Sequence, residues 1–310
     1  MNAAASARHE VVRDAMVPAI PRSLVTGASG GLGAALARRL ARPGVALVLV
    51  ARDAARLDAV ARECRARGAQ VETAVLDVRA SDVLAAFVAS ADADHPIDAV
   101  YANAGVEASV GAGRAAEAFD DVTAQLRTNL EGAIATVLPL IEPMRARGSG
   151  RVVLIASLAG LMPLPDQPTY CATKAGLIAY GEALRPMLGA YGVTVTVACP
   201  GFIATGMARG YRGWRPFEWS AEKAAAHIVA AAERGARRVA FPWPLVGLIR
   251  LGRLVPAFMR EPVLKSLFRA DIEPMVAERT SSPPDNAASE HISDESRSLR
   301  PLKKLSSIER

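Results

Sequence analysis

In the stretch TYCATKAG a tyrosine, Tyr170, and a lysine, Lys174, stand four residues apart among small side chains. On a helix such a pair shares one face, so a phenol that gives up a proton could lie beside an ammonium that tunes it. The same spacing suits a packed aromatic one turn from a solvated lysine. Spacing alone leaves both readings open.

A second stretch with chemical potential is TGASGGLGAALARRLA, in which Gly27, Gly31 and Gly33 lead into an Ala-rich segment. Glycines at a strand-to-helix turn let the backbone bend sharply and let a diphosphate approach the amide N–H groups of a helix N-terminus. Gly30 makes the same residues fit GxxGxxG as well, a spacing found where nucleotide sugars are the substrates. If a dinucleotide binds, its identity depends on the end of the next strand. An acid there bonds the ribose 2′-OH and a base pairs with a 2′-phosphate. Counting about 20 residues onward reaches Arg52-Asp53, one of each sign, and the count does not choose.

These groups need a scaffold. SLVT (23–26), VALVLVA (45–51), QVETAVLDV (70–78), DAVYAN (98–103), RVVLIAS (151–157), VTVTVACP (193–200) and RRVAF (237–241) are short, β-branched and mostly apolar on both sides. Ala- and Leu-rich helical stretches separate most of them. This alternation predicts an α/β fold: a Rossmann-type, doubly wound parallel sheet of about seven strands with helices on both faces. The expected organisation is an N-terminal arm (1–21), one Rossmann domain carrying the site (22–241), an apolar C-terminal extension of short helices (242–275) and a disordered Ser-, Pro- and charge-rich tail (276–310).

The chain carries a formal charge of +6, yet no zinc-finger, helix-turn-helix or aromatic RNA-binding pattern accompanies its arginines, which argues against a nucleic-acid partner. Cys64, Cys171 and Cys199 lack CxxC spacing and the four histidines are scattered, so neither a disulfide framework nor a metal site is expected. With no secretory leader and no run of roughly 18 apolar residues, the expected location is the cytoplasm.

Taken together, TGASGGLG, LDV, ANAG at 102–105, TNLEG, IASLAG, Tyr170-x-x-x-Lys174 and PGFIAT at 200–205 resemble the short-chain dehydrogenase/reductase family in order and approximate spacing. The resemblance covers residues 22 to 241 and is to the shorter, single-domain branch. It implies an oxidoreductase that interconverts an alcohol and a ketone or aldehyde by hydride transfer. Ala51 stands where NAD-selective relatives have an acid and Arg52 where NADP-selective relatives have an arginine. NADP(H) is therefore implied in preference to NAD(H), with Ser29 a second 2′-phosphate contact and Asp53 a cap for the next helix.

By the same resemblance Gly27, Gly31, Leu32 and Gly33 form the diphosphate loop. Asp77 and Val78 meet the adenine, and Asn103, Ala104 and Gly105 line the adenosine side. Pro200, Gly201 and Thr205 reach the nicotinamide. The implied catalytic set is Asn129 anchoring a water, Ser157 holding the carbonyl oxygen, Tyr170 as proton donor, and Lys174 lowering the tyrosine pKa while bonding the nicotinamide ribose. Pro186, in the helix that carries Tyr170, is expected to kink or restart it, which bears on the helix packing by which relatives form homo-oligomers.

The expected substrate is an apolar carbonyl or alcohol, lipid-, steroid- or terpenoid-like, covered by Tyr211, Trp214, Phe217 and Trp219 of a lid. Residues 241–268 are read either as helices that cap the cleft or meet a neighbouring subunit, or as an interfacial element in peripheral contact with a membrane. A protein that senses NADPH without turnover is the remaining alternative.

Overall fold

The computed structural model of the chain describes residues 21–110, 115–206 and 215–267. The predicted arm, except Pro21, and the predicted tail lie outside the described residues, as do Tyr211 and Trp214.

Each of the seven predicted strands forms. They are β1 (Arg22–Thr26), β2 (Ala46–Ala51), β3 (Gln70–Val75), β4 (Ala99–Ala102), β5 (Gly150–Ile155) and β6 (Val193–Pro200). After a short parallel pair, β7 (Ile203–Ala204) with β8 (Trp219–Ser220), comes β9 (Arg238–Phe241). The sheet order is β3-β2-β1-β4-β5-β6-β9, with all neighbours parallel. Both faces are covered, which is why β2, β4 and the second half of β5 run apolar instead of alternating. Edge strand β3 differs, with Gln70 and Glu72 exposed.

The covering helices are α1 (Gly31–Leu40), α2 (Ala54–Ala66), α3 (Ser81–Asp94), α4 (Phe119–Gln125), α5 (Gly132–Arg147), α6 (Pro168–Gly189) and α7 (Ala221–Glu233), followed by α8 (Trp243–Gly252) and α9 (Ala257–Leu267). One core, with Leu36, Leu57 and Ile228, lies beneath α1, α2 and α7. The other, with Leu84, Leu140 and Leu177, lies beneath α3, α5 and α6.

Three predicted strands are shorter than expected at their C-terminal ends: Leu76–Val78, Asn103 and Ala156–Ser157 are loop. At this edge the chain leaves the ladder, and its side chains become available to a ligand. The strand order reverses between β1 and β4, so the loops after them flank a switch point, where open α/β sheets bind their ligands.

Pro186 does not interrupt α6, which runs for 22 residues to Gly189. The proline falls in the last turn, where losing one backbone donor leaves the rest of the ladder intact.

Candidate active site

At the end of β1 the chain turns through Gly27 (φ +69) and Gly31 (φ +54), both in the left-handed region that a side chain disfavours. A Cβ on Gly33 would lie 2.1 Å from the Gly27 carbonyl oxygen, and one on Gly27 would lie 2.9 Å from Ala104 Cα. Gly30 is extended, with φ −178. The turn is therefore built on Gly27, Gly31 and Gly33. Asn103 Nδ2 donates to the Thr26 carbonyl at 2.9 Å, and the Asn103 and Ala104 N–H groups donate to Thr26 Oγ1 at 3.1 and 3.2 Å. These bonds lock the loop after β4 onto the glycine turn.

Thr205 meets the turn from the other side, its Cγ2 being 3.3 Å from where a Cβ on Gly31 would stand. Gly201 is fixed by its N–H bond to the Phe241 carbonyl at 2.7 Å, just after Pro200 ends β6. Leu32 packs on the core beneath α1, while Ser29 is partly exposed on the turn.

The rim beside β2 and β3 is charged. Asp77 accepts from Arg79 N at 3.0 Å, Nε at 2.9 Å and Nη2 at 2.5 Å, and Arg52 Nη1 stands 3.8 Å away. Burial pushes the Asp77 carboxyl up, but the Arg79 bonds and the Arg52 charge outweigh it and hold the group below its usual range. Asp53 caps α2 by accepting from Arg56 N at 3.0 Å. Val78 is buried against the first turn of α5, where a Cβ on Gly132 would stand 2.9 Å from its carbonyl oxygen.

Toward β5 the site becomes enclosed. Lys174, only 4% exposed, donates from Nζ to the Ile155 carbonyl at 3.0 Å, and its ammonium lies 5.6 Å from the centroid of the Tyr170 ring. Ser157 Oγ accepts from Ala159 N at 3.1 Å, and its hydroxyl stands close enough to the Tyr170 oxygen to pull the phenol pKa down. The sequence-predicted Ser157, Tyr170 and Lys174 are thus brought together.

Asn129, fully buried, sits in a π-helical turn (Leu126–Glu131) between α4 and α5. Such turns concentrate at functional sites. Its Oδ1 accepts from Val106 N at 2.8 Å, and its Nδ2 donates to the Val106 carbonyl at 2.9 Å and to Thr173 Oγ1 at 3.2 Å. With both side-chain donors used, it joins the loop after β4 to α6. Only a second lone pair on Oδ1 is left for the expected water.

The expected downward shift of the tyrosine is not what this environment produces. Although Tyr170 keeps some exposed surface, burial pushes its phenol up, the negative charge of Glu107 pushes it further, and the Ser157 bond pulls it only partly back. Spacing could not reveal this, because it carries no information about desolvation. Lys174 moves the opposite way, down to about 8, chiefly through burial and against the charges of Glu107 and Cys199. Cys171, next to the tyrosine, is pushed up to about 11 by burial and is therefore no nucleophile at neutral pH.

Glu107 was missed at the sequence level. It accepts a short hydrogen bond from Gln167 Nε2, and Gln167 is the residue that precedes α6. Burial raises the Glu107 carboxyl, against the Gln167 bond and the Lys174 charge. The only available signal was a carboxylate two residues beyond ANAG, since its partner lies 60 positions away.

Among the lid aromatics, Trp219 is not free to cover a ligand. It stacks on Phe241 at 4.7 Å and meets His227 edge-on at 5.5 Å. Phe217 is exposed. A cavity of about 340 Å³ lies between residues 162–165, on the segment joining Ser157 to Tyr170, and the α9 residues Arg260, Glu261, Leu264 and Lys265.

Residues 22–216 match the family model described as short chain dehydrogenase. The chain belongs to this family. An uncharacterized oxidoreductase of Myxococcus xanthus is 35% identical over 235 residues, which span 76% of this chain and 92% of that protein. Ketoacyl reductase HetN of Nostoc is 38% identical over 186 residues, 59% of this chain and 64% of its own length. Among solved structures, a short-chain dehydrogenase from Sphingobium yanoikuyae in complex with NADPH superposes with a TM-score of 0.65 at 26% identity, covering 76% of this chain and 97% of that one. As a short-chain dehydrogenase the protein is an oxidoreductase acting on CH–OH or keto groups, in a fold that binds NAD(P). No helix among the described residues is long and apolar enough to cross a membrane.

Proposed function

We propose that the chain is an NADPH-dependent reductase of an apolar ketone or aldehyde, able to run in reverse on the alcohol. The observation that carries this is the convergence of Ser157, Tyr170 and Lys174 beside a glycine cradle at the switch point of the sheet.

The cradle suits a dinucleotide diphosphate because the missing side chains of Gly27 and Gly33 let the turn pack tightly on itself and on Ala104, which would present the N–H groups at the start of α1 to a ligand. When bound, the nicotinamide supplies the hydride chemistry. On the protein side, Ser157 would turn its hydroxyl proton to the carbonyl oxygen and hold that oxygen beside the phenol. A phenol pushed up by burial stays protonated at neutral pH, the form needed to give a proton to an oxygen that is gaining negative charge. The phenolate left behind would be met by the charge of the Lys174 ammonium. Lys174 is anchored at Ile155 and has two further donors for the nicotinamide ribose.

The NADP(H) preference is supported at the rim. Asp53 is occupied as a cap, β2 ends in Ala51 without an acid, and Arg52 is exposed and only loosely paired with an aspartate that Arg79 already serves. A 2′-phosphate would give Arg52 a stronger partner. An apolar substrate body is supported by Met162, Leu164 and Leu264, which share the cavity lining with the charged Arg260, Glu261 and Lys265. A homo-oligomer is part of this reading, since Phe119, Leu126 and Leu138 are exposed along α4, the π turn and α5.

The test is NADPH consumption across a panel of ketones and aldehydes with apolar bodies, beside binding titrations with NADPH and NADH. Saturable NADPH binding without turnover of any member would replace the reductase reading with a cofactor sensor. NADH binding as tightly as NADPH would overturn the cofactor preference.

A further inference from the structure

We infer that α8 and α9 form a surface that docks on an anionic lipid bilayer. The inner side of this element is ordinary core: Leu245 and Val246 are buried, and Met162 Cε stands 3.2 Å from where a Cβ on Gly252 would be. The outer side is not. Trp243 and Leu254 are each 81% exposed and Phe258 is 76% exposed, with Leu248, Leu251 and Val263 also more than half open. Elsewhere on the described surface, exposed large apolar side chains are fewer per stretch of chain, Phe119, Leu126 and Leu138 being the nearest comparable set. A contiguous set of this kind marks an interaction surface.

Charge identifies the partner. Arg250 and Arg253 are exposed and make no ion pair among the described residues, Arg260 and Lys265 follow on α9, and Glu261 is the lone acid between residues 243 and 266. In a two-fold self-association this patch would face itself and set arginines against arginines. Between 271 and 295 the chain is rich in acids, which makes the C-terminal segment a competing occupant for the test to separate.

An anionic bilayer offers both halves of the match. Headgroup phosphates meet the cations while the acyl boundary receives Leu, Phe and the amphipathic Trp ring. Pro256 separates α8 from α9, so each helix can lie flat in the interface. The cavity between residues 162–165 and α9 would then open beside the bilayer and admit a lipid carbonyl from it. This last step rests on the apolar-substrate reading; the docking itself does not.

Co-sedimentation of the full chain with vesicles of phosphatidylcholine, alone or mixed with phosphatidylglycerol, tests the inference. The chain should pellet with the mixed vesicles, less so as salt is raised. Both Leu254→Ser/Phe258→Ser and Arg250→Gln/Arg253→Gln should reduce the bound fraction by about tenfold or more, with NADPH binding retained as the check on folding. Negligible pelleting of the unmodified chain, or equal pelleting of Leu254→Ser/Phe258→Ser, would overturn docking. A vesicle-free dimer that Leu254→Ser/Phe258→Ser dissociates would assign the face to a second copy. Pelleting that appears only after Asp285→Asn/Glu290→Gln/Asp294→Asn/Glu295→Gln would assign it to the C-terminal segment. NADPH oxidation with a water-soluble ketone, measured in parallel, separates a failure of the reductase reading from a failure of docking.

Discussion

Asp77 and Glu107 are carboxylates in loops at the same edge of the sheet, five residues or fewer past a strand end, and their surroundings treat them in opposite ways. At Asp77 loss of water is the largest single influence and pushes the carboxyl up, but three bonds from Arg79 and the charges of Arg79 and Arg52 together outweigh it and hold the group below its usual range. Glu107 is raised because its bonded partner is the neutral amide of Gln167, and that bond and the Lys174 charge do not offset its burial. The rim is a place where pairing decides protonation; the catalytic end is one where desolvation does. A cofactor phosphate can be recognised by fixed charge at the first, and a proton can be moved at the second.

The sharpest way to break this contrast is Tyr170→Phe, which keeps the ring and removes the proton. It should lower kcat for carbonyl reduction by roughly 100- to 10,000-fold, with NADPH affinity nearly unchanged; retained turnover would end the assignment of the donor. Next comes Gly33→Ala, whose added methyl would stand 2.1 Å from the Gly27 carbonyl. A cost of about 1–3 kcal/mol in stability is expected, visible as a lower thermal midpoint, together with weakened dinucleotide binding.

At the rim, Arg52→Ala should weaken NADPH by about tenfold, or ~1.4 kcal/mol, and leave NADH almost unaffected. An equal loss for both would show that the arginine does not read the 2′-phosphate. The mildest change is Glu107→Gln. In the unmodified protein kcat/KM should fall as pH rises past about 8, where Lys174 loses its charge. Because the Glu107 charge raises the Lys174 pKa, the amide should move that limb to lower pH. A limb that stays in place would mean Glu107 is only a structural partner of Gln167.

Much of this was legible in the chain, for identifiable reasons. Strands buried on both faces must be continuous apolar runs, so Leu47–Val50 and Val152–Ile155 declared themselves. Gly27 and Gly33 were legible because only a missing side chain permits the contacts found there. Asp53 as a cap followed from its place just before a helical run.

What stayed hidden depends on packing between distant segments. Gln167 reaching Glu107, Trp219 stacking on Phe241, and burial with the Glu107 charge raising the Tyr170 phenol are consequences of the assembled fold. Pro186 misled because a proline's effect depends on how near the helix end it falls.

The π turn at Leu126–Glu131 holds one residue more than an α-helical path needs, and that surplus sets the phase between two jobs. Ahead of it Gln125 points inward to serve Ala108, within it Asn129 clamps Val106, and after it Ala133, Val137 and Met144 face the core. Removing a single residue there would let the helix relax into regular geometry and would swing everything on one side by about 100°. Either the amide clamp or the apolar stripe would then face solvent. A length change that costs nothing in composition would uncouple the floor of the cleft from the body of the protein.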